Sequence, residues 1–155
     1  MTDIELARAF ERGEVPPGDF HHASHLRVAW VYLRECPSVA DATDRMAALL
    51  RRFAASVDKS EKYHHTMTVF WMLALAGAGS TMPDAAADEV LRASPRLLDK
   101  ELPLAFYSRE RLFSDAARLS WVAPDRQPLS ADATAFHPAD PSSDAPNRPL
   151  SRRSR

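Results

Sequence analysis

Hydrophobic side chains recur at every third or fourth position through most of residues 1–124, which is the spacing of one face of an α-helix. The segment after Pro37 shows this spacing most clearly, at Val39, Ala42, Met46, Leu49, Leu50 and Phe53. Strict alternation of apolar and polar residues, which is typical of a half-buried strand, is not convincing anywhere. The pattern therefore predicts an all-α fold, a single bundle of about five to six helices.

Start and stop signals divide this bundle into helices. Thr2 with Glu5 three positions later is typical of a capping box and predicts a short first helix. The second helix is predicted over residues 20–35, and the third begins at the segment SVAD. Asp58, again with an acidic residue three positions later, predicts the start of a fourth helix that runs to about residue 76. Shorter helical pieces are predicted from there to residue 124.

The composition of the chain changes sharply after Pro124. Residues 125–155 contain five prolines, many Ser and Asp residues and few large apolar side chains. Such a segment cannot bury enough apolar surface to offset the entropy cost of ordering it. We therefore expect a helical domain at residues 1–124 and an extended or disordered tail at 125–155, and we discount His137 of the tail as a ligand.

Charge and cysteine content exclude several classes of protein. The net charge is −1, and no basic stripe interleaved with aromatic residues is present, so a nucleic-acid partner is not expected. The longest apolar run, VFWMLALAGAG, is too short to span a bilayer, and the first residues do not read as a signal peptide. The single cysteine, Cys36, excludes an internal disulfide. These features predict a cytoplasmic protein with no membrane partner.

Five of the six histidines fall in two short windows, FHHASHLRVAWVYL and EKYHHTMTVFWML. At about 100° per residue, His22 and His25 fall on the apolar side of the second helix, whereas His21 lies nearer its edge. His64 and His65 head two neighbouring apolar rows of the fourth helix. The sequence thus predicts two helices that each direct histidines into the interior from the N-terminal end.

Two inward-facing histidine clusters favour a metal site. A buried neutral imidazole without a partner costs about 1–3 kcal/mol, and clustered imidazolium ions repel one another. A divalent transition metal such as zinc, iron, copper or manganese removes both costs, since neutral imidazole is a good ligand for it. Three histidines that leave one coordination position open are typical of a catalytic site. We predict one metal ion bound by His22, His25 and His64, with His21 and His65 as alternative ligands.

Further residues near the two clusters are candidates for catalytic roles. Glu61 and His65 are candidates for proton transfer, for a fourth metal ligand or for a partner that orients an imidazole. Thr68 shares a helix face with His64 and His65, from which it would contact a substrate or a bound water. Arg118 is a candidate to bind a substrate carboxylate through both of its terminal nitrogens.

These residues lead to two hypotheses about function. The first is a metal-dependent enzyme that acts on a small-molecule substrate. The second is a non-enzymatic helical binding or interaction module whose histidines form a buried hydrogen-bond network. Because the second and fourth helices are apolar on nearly all sides, a homodimer interface is a further possibility.

Three motifs, HxxHL, YHxTxT and YSxxxLxSxxAR, resemble those of a family of small bacterial all-helical proteins without an assigned activity. The matching residues are His22, His25, Leu26, Tyr63, His64, Thr66, Thr68, Tyr107, Ser108, Leu112, Ser114, Ala117 and Arg118. The resemblance covers most of residues 20–125 and implies no particular reaction. A looser architectural similarity is to the DinB-like helical bundles, which bind a metal with one lone histidine and one spaced pair. In this sequence the pair comes first.

Overall fold

The computed structural model describes residues 1–129, and their regular structure is helical throughout. The α-helices are α1 (Asp3–Glu11), α2 (His22–Glu35), α3 (Val39–Ser56), α4 (His65–Ala78), α5 (Ala87–Ala93), α6 (Arg109–Leu112) and α7 (Asp115–Leu119). Short 3₁₀ turns lie at Pro17–Asp19, Ser60–Lys62, Pro95–Leu98 and Leu102–Ala105. The predicted all-α fold is confirmed. Within this part of the chain, no helix combines the length and the apolar character that crossing a membrane requires.

Local capping fixes the ends of the first helices. The hydroxyl of Thr2 accepts a hydrogen bond from the backbone N–H of Glu5 (3.1 Å), and the Glu5 carboxylate accepts one from the N–H of Thr2 (2.7 Å). This is the predicted capping box, and it starts α1. Gly13 has a φ of 72° just after α1, a conformation that glycine adopts without steric cost. Ser38 caps α3 by accepting from the N–H of Asp41.

The predicted start of the fourth helix at Asp58 is wrong. Asp58 follows the end of α3 and has a φ of 59°, a left-handed conformation that aspartate tolerates better than most residues. The chain then makes the 3₁₀ turn Ser60–Lys62 and becomes extended before α4 begins at His65. His64 is the N-cap of α4. Glu61 therefore lies on a separate turn, and not one helical turn before His64.

The apolar core consists of two clusters that share α4. Helices α1, α2, α3 and α5 form the first cluster, which also receives Met72 and Leu75 of α4. The second cluster packs the opposite face of α4 against the C-terminal segments, through Val69, Phe70, Leu73, Phe106, Tyr107, Leu112 and Leu129. Trp71 contacts both clusters. As a result α4 is covered on both sides.

The indole of Trp30 joins α2 to the segments around α4 and α5. Its Nε1 donates a hydrogen bond to the carbonyl oxygen of Ala85 over 2.8 Å. The outer edge of the ring lies against Gly79, where an added Cβ atom would be only 2.3 Å from a ring carbon. A glycine is therefore required at this position for the ring to pack as it does.

Contacts extend the helical domain past the predicted boundary at residue 124. The carboxylate of Asp125 accepts hydrogen bonds from the N–H and the hydroxyl of Ser108, each at 2.7 Å. The N–H of Arg126 donates to the carbonyl oxygen of Phe106 (2.8 Å), and Leu129 is only 6% exposed. Residues 125–129 thus belong to the domain. The rest of the predicted tail, including His137, lies outside the described residues.

Candidate functional site

A cavity of about 310 Å³ lies between α2, α3, α4 and the turn Ser60–Lys62. Most of its wall is apolar, formed by Leu26, Ala29, Met46, Leu50, Phe53, Ala54, Met67, Trp71 and Met72. The polar side chains in the wall are His22, His25, Lys59, Lys62, Tyr63, His64 and Thr68. The volume is near the lower end of the range for small-molecule sites, about 300–1,000 Å³. A larger surface depression of about 630 Å³, near Asp3 and Ile4, contains none of the histidines.

Four of the residues predicted from the sequence line this cavity: His22, His25, His64 and Thr68. They come from α2, from the N-cap of α4 and from the first turn of α4. The two histidine windows therefore reach a common internal space, although about forty residues separate them along the chain.

His64 has hydrogen bonds at both ring nitrogens. Its Nδ1 accepts from the backbone N–H of Met67 (3.1 Å), which caps α4. Its Nε2 lies 2.7 Å from the carbonyl oxygen of Leu112, and because a carbonyl only accepts, this nitrogen carries the proton. Burial lowers the pKa of His64 below its ordinary value, which keeps the ring neutral. This imidazole is a structural connection between α4 and α6.

His22 has a similar bond on one side only. Its Nε2 donates to the carbonyl oxygen of Leu97 over 2.8 Å, and its ring meets the indole of Trp71 edge-on, with 4.5 Å between the centroids. No hydrogen bond from residues 1–129 reaches its Nδ1. His22 thus retains one nitrogen that is able to accept a hydrogen bond.

His25 differs from both, since neither of its ring nitrogens has a hydrogen-bond partner among the described residues. Its ring stacks on that of Phe20, with centroids 4.1 Å apart. Burial, assisted by the nearby His22, lowers the pKa of His25 to about 4, so the ring is neutral at pH 7. The cavity wall therefore contains a neutral imidazole with an unpaired donor and an unpaired acceptor.

Thr68 and Tyr63 complete the polar part of the wall. The Thr68 hydroxyl donates to the carbonyl oxygen of His64 (2.9 Å) and keeps its acceptor capacity. The Tyr63 hydroxyl is hydrogen-bonded to Nδ1 of His65 over 2.8 Å. Both hydroxyls are therefore already oriented by the protein.

The three predicted metal ligands do not present three free nitrogens. His64 has none, His22 has one and His25 has two. Within residues 1–129, no group of three or more His, Cys, Asp or Glu side chains is arranged to hold a metal ion. In this arrangement the residues do not fit a three-histidine site. His64 would become a ligand only by giving up its bond to Met67 or to Leu112.

The remaining predicted residues, Glu61, His65 and Arg118, do not line the cavity. Glu61 is exposed on the turn Ser60–Lys62. The ring of His65 faces Tyr63 and Arg51, whose Nη2 is 3.5 Å from Nδ1 of His65, and burial lowers the pKa of His65. Arg118 of α7 lines a separate depression of about 270 Å³ together with Arg51. The structure therefore does not bring Glu61, His65 or Arg118 to the same space as the other candidates.

Two residues of the cavity wall, Lys59 and Lys62, were missed by the sequence analysis. The predicted α-helix from Asp58 would have placed them among solvent-facing positions, whereas the observed 3₁₀ turn brings both to the cavity. The row Met46, Leu50 and Phe53 was identified as an apolar face of α3, but periodicity alone does not say what that face contacts. A signal for the turn does exist in the sequence, since aspartate at residue 58 is compatible with a left-handed break.

In comparison with known proteins, no protein-family model matches the chain, and no curated protein or solved structure matches it at a significant level. The class of this protein is therefore described from its fold and its cavity alone. Residues 1–129 form an all-helical domain with a mostly apolar cavity whose wall contains three histidines, His22, His25 and His64.

Proposed function

We propose that this protein is a small-molecule-binding helical domain whose ligand occupies the cavity between α2, α3 and α4. The observation that carries the proposal is the cavity itself, whose mostly apolar wall also contains the neutral ring of His25, with no hydrogen-bond partner among residues 1–129. Ligand sites typically combine apolar walls with a few placed polar groups.

The wall chemistry supports a ligand that is mostly apolar. Met46, Met67 and Met72 supply flexible, polarizable side chains that adapt to the shape of a ligand. Phe53 and Trp71 add flat aromatic surfaces. The expected ligand therefore places a hydrocarbon body against these side chains.

The proposal is tested with a neutral apolar probe, 1-octanol, by thermal unfolding and intrinsic tryptophan fluorescence. Binding to the folded state alone raises the melting temperature with probe concentration. In Ala54→Leu the larger side chain enters the cavity and binding is expected to be lost. Ala55→Leu is the matched control, because Ala55 is the next residue of α3 and is exposed. A wild-type protein that is not stabilised by 1-octanol, or an Ala54→Leu protein that binds it normally, would contradict the proposal.

A metal-dependent enzyme is the second candidate, and the observation that favours it is that His22, His25 and His64 line one cavity. It requires His64 to exchange a backbone hydrogen bond for the metal. The test is the metal content of protein purified without a histidine tag, for the wild type, His25→Ala and His64→Ala. One zinc, iron, copper or manganese ion per chain that is lost in both variants would favour this candidate. Metal-free wild-type protein that added metals do not stabilise would exclude it.

A further inference from the structure

Two lysines stand at the edge of the cavity. Lys59 precedes the turn Ser60–Lys62 and Lys62 ends it, and the N–H of Lys62 donates to the carbonyl oxygen of Lys59 over 2.9 Å. A 3₁₀ turn has three residues per turn, so side chains three positions apart project in the same direction. Both lysines are exposed to solvent and both line the cavity. They therefore mark its mouth, whereas Glu61 between them does not line it.

Within residues 1–129, neither lysine at this mouth forms an ion pair, although Asp58 and Glu61 lie beside them in the chain. The lining contains no Asp or Glu side chain. None of the ion pairs formed within residues 1–129 involves Lys59 or Lys62. The chain has only three lysines among its 20 basic residues, so two of the three are at this position. Two ammonium groups that form no ion pair within residues 1–129 thus stand at the entrance to a mostly apolar interior.

We propose that the ligand is an apolar monocarboxylate, with its hydrocarbon body in the cavity and its carboxylate between Lys59 and Lys62. This inference rests on the proposed function of the cavity as a small-molecule site. An ammonium–carboxylate hydrogen bond is stronger than a neutral one, and the two donors suit the two oxygens of the head group. The interior offers mostly apolar surface, so the charged end of the ligand remains at the mouth, where water and the lysines solvate it.

A competing explanation is that the lysines are at the mouth for their hydrocarbon stems. Lysine covers apolar surface with its methylene groups while the ammonium stays in water. Under that explanation the charge of the lysines does not change the affinity for the ligand. Replacement of lysine by glutamine retains much of the stem and removes the charge, so it separates the two explanations.

The experiment measures dissociation constants at pH 7 for three probes with one chain length: octanoate, 1-octanol and octylammonium. Two exposed ion pairs are expected to make octanoate bind about two- to thirtyfold more tightly than 1-octanol. Octylammonium is expected to bind more weakly than 1-octanol. The advantage of octanoate should shrink between about 20 mM and about 300 mM salt, because salt screens exposed charges.

Lysine variants test whether the tighter binding of octanoate arises at the mouth of the cavity. Lys59→Gln combined with Lys62→Gln is expected to bring the affinity for octanoate to the affinity that the same variant has for 1-octanol. Lys100→Gln is the matched control, since Lys100 is the third lysine, is exposed and lies outside the cavity wall. Circular dichroism checks that the double variant retains its helices.

The possible outcomes separate this inference from the proposed function. Equal binding of octanoate and 1-octanol, or octanoate binding that the double lysine variant does not change, would overturn the carboxylate inference while the cavity remains a small-molecule site. Failure of every probe to bind would overturn both. Octanoate binding that persists in Ala54→Leu would also overturn the inference, because the hydrocarbon body would then lie outside the cavity.

Discussion

The imidazole of His64 connects the start of α4 to the end of α6, because its Nε2–H donates to the carbonyl oxygen of Leu112 across 2.7 Å. The same ring caps α4 through the N–H of Met67. Few side chains accept a hydrogen bond at one position and donate at a second position a fixed distance away. The neutral histidine ring does both, and its lowered pKa preserves that state at pH 7.

Substitutions of His64 should separate the contribution of the helix cap from the contribution of the hydrogen bond to Leu112. His64→Ala removes the helix cap and the bond to Leu112, so the free energy of unfolding should fall by about 2–3 kcal/mol. His64→Asn restores a capping side chain and should lose only about 1 kcal/mol. Urea denaturation at pH 7 measures both values, with Glu61→Gln as an exposed control expected to change stability by less than about 0.5 kcal/mol. Equal losses for the alanine and asparagine variants would show that the cap contributes nothing.

The low pKa of His25 predicts a loss of stability in acid. At pH values above about 6.5 the ring is neutral in both the folded and unfolded states. Between about 6.5 and about 4 the unfolded chain binds a proton that the folded protein does not, so stability falls by on the order of 3 kcal/mol in total. His25→Leu lacks this group and should lose less stability over the same range. Urea denaturation from pH 7.5 to pH 4 measures the free energy of unfolding of both proteins. Equal losses of stability in the two proteins would contradict the low pKa of His25.

Gly79 should be intolerant of any side chain. In Gly79→Ala the new Cβ would meet the ring of Trp30, so the ring must shift and its bond to Ala85 must weaken. Overpacking of this kind costs about 1–3 kcal/mol. Thermal unfolding measures the loss, and tryptophan fluorescence reports the displacement of the ring. Gly18→Ala is the control, because a Cβ at Gly18 has no neighbour within 4 Å. A similar cost at both glycines would refute the steric explanation.

Two buried threonines should respond oppositely to the same substitution. The Thr66 hydroxyl donates to the carbonyl oxygen of Ser120 (2.8 Å) and accepts from the N–H of Val122 (3.1 Å), so Thr66→Val should cost about 2–3 kcal/mol. The buried Thr43 hydroxyl has no hydrogen-bond partner in residues 1–129, so Thr43→Val should stabilise the protein by about 1 kcal/mol. Chemical denaturation of both variants measures these two changes in the free energy of unfolding. A destabilising Thr43→Val would show that this hydroxyl has a role that the contacts do not reveal.

Short-range signals in the sequence predicted the helices well. The pairing of Thr2 with Glu5 places both halves of a capping box within four residues, so it can be identified without knowledge of the fold. The helical periodicity of α2 likewise predicted that His22 and His25 face inward, and both line the cavity. In these cases the physical cause lies within one or two helical turns.

Long-range contacts could not be predicted in the same way. The hydrogen-bond partners of His22 and His64 are the carbonyl oxygens of Leu97 and Leu112, which are 75 and 48 residues away along the chain. No local pattern indicates that a distant backbone carbonyl will satisfy an inward-facing histidine. The left-handed conformation of Asp58 was also missed, because aspartate both starts helices and tolerates that conformation.

The two-sided burial of α4 has a consequence for how the protein is made. Its second face packs against Phe106, Tyr107, Leu112 and Leu129, all of which follow it in the chain. Until the ribosome has added these residues, the newly made α4 exposes this apolar face to solvent and to other proteins. We expect chaperones to bind the nascent chain at this stage. A messenger cut short before the codon for Phe106 lacks all four of these residues and should yield insoluble protein, although the sequence of the cavity would be complete.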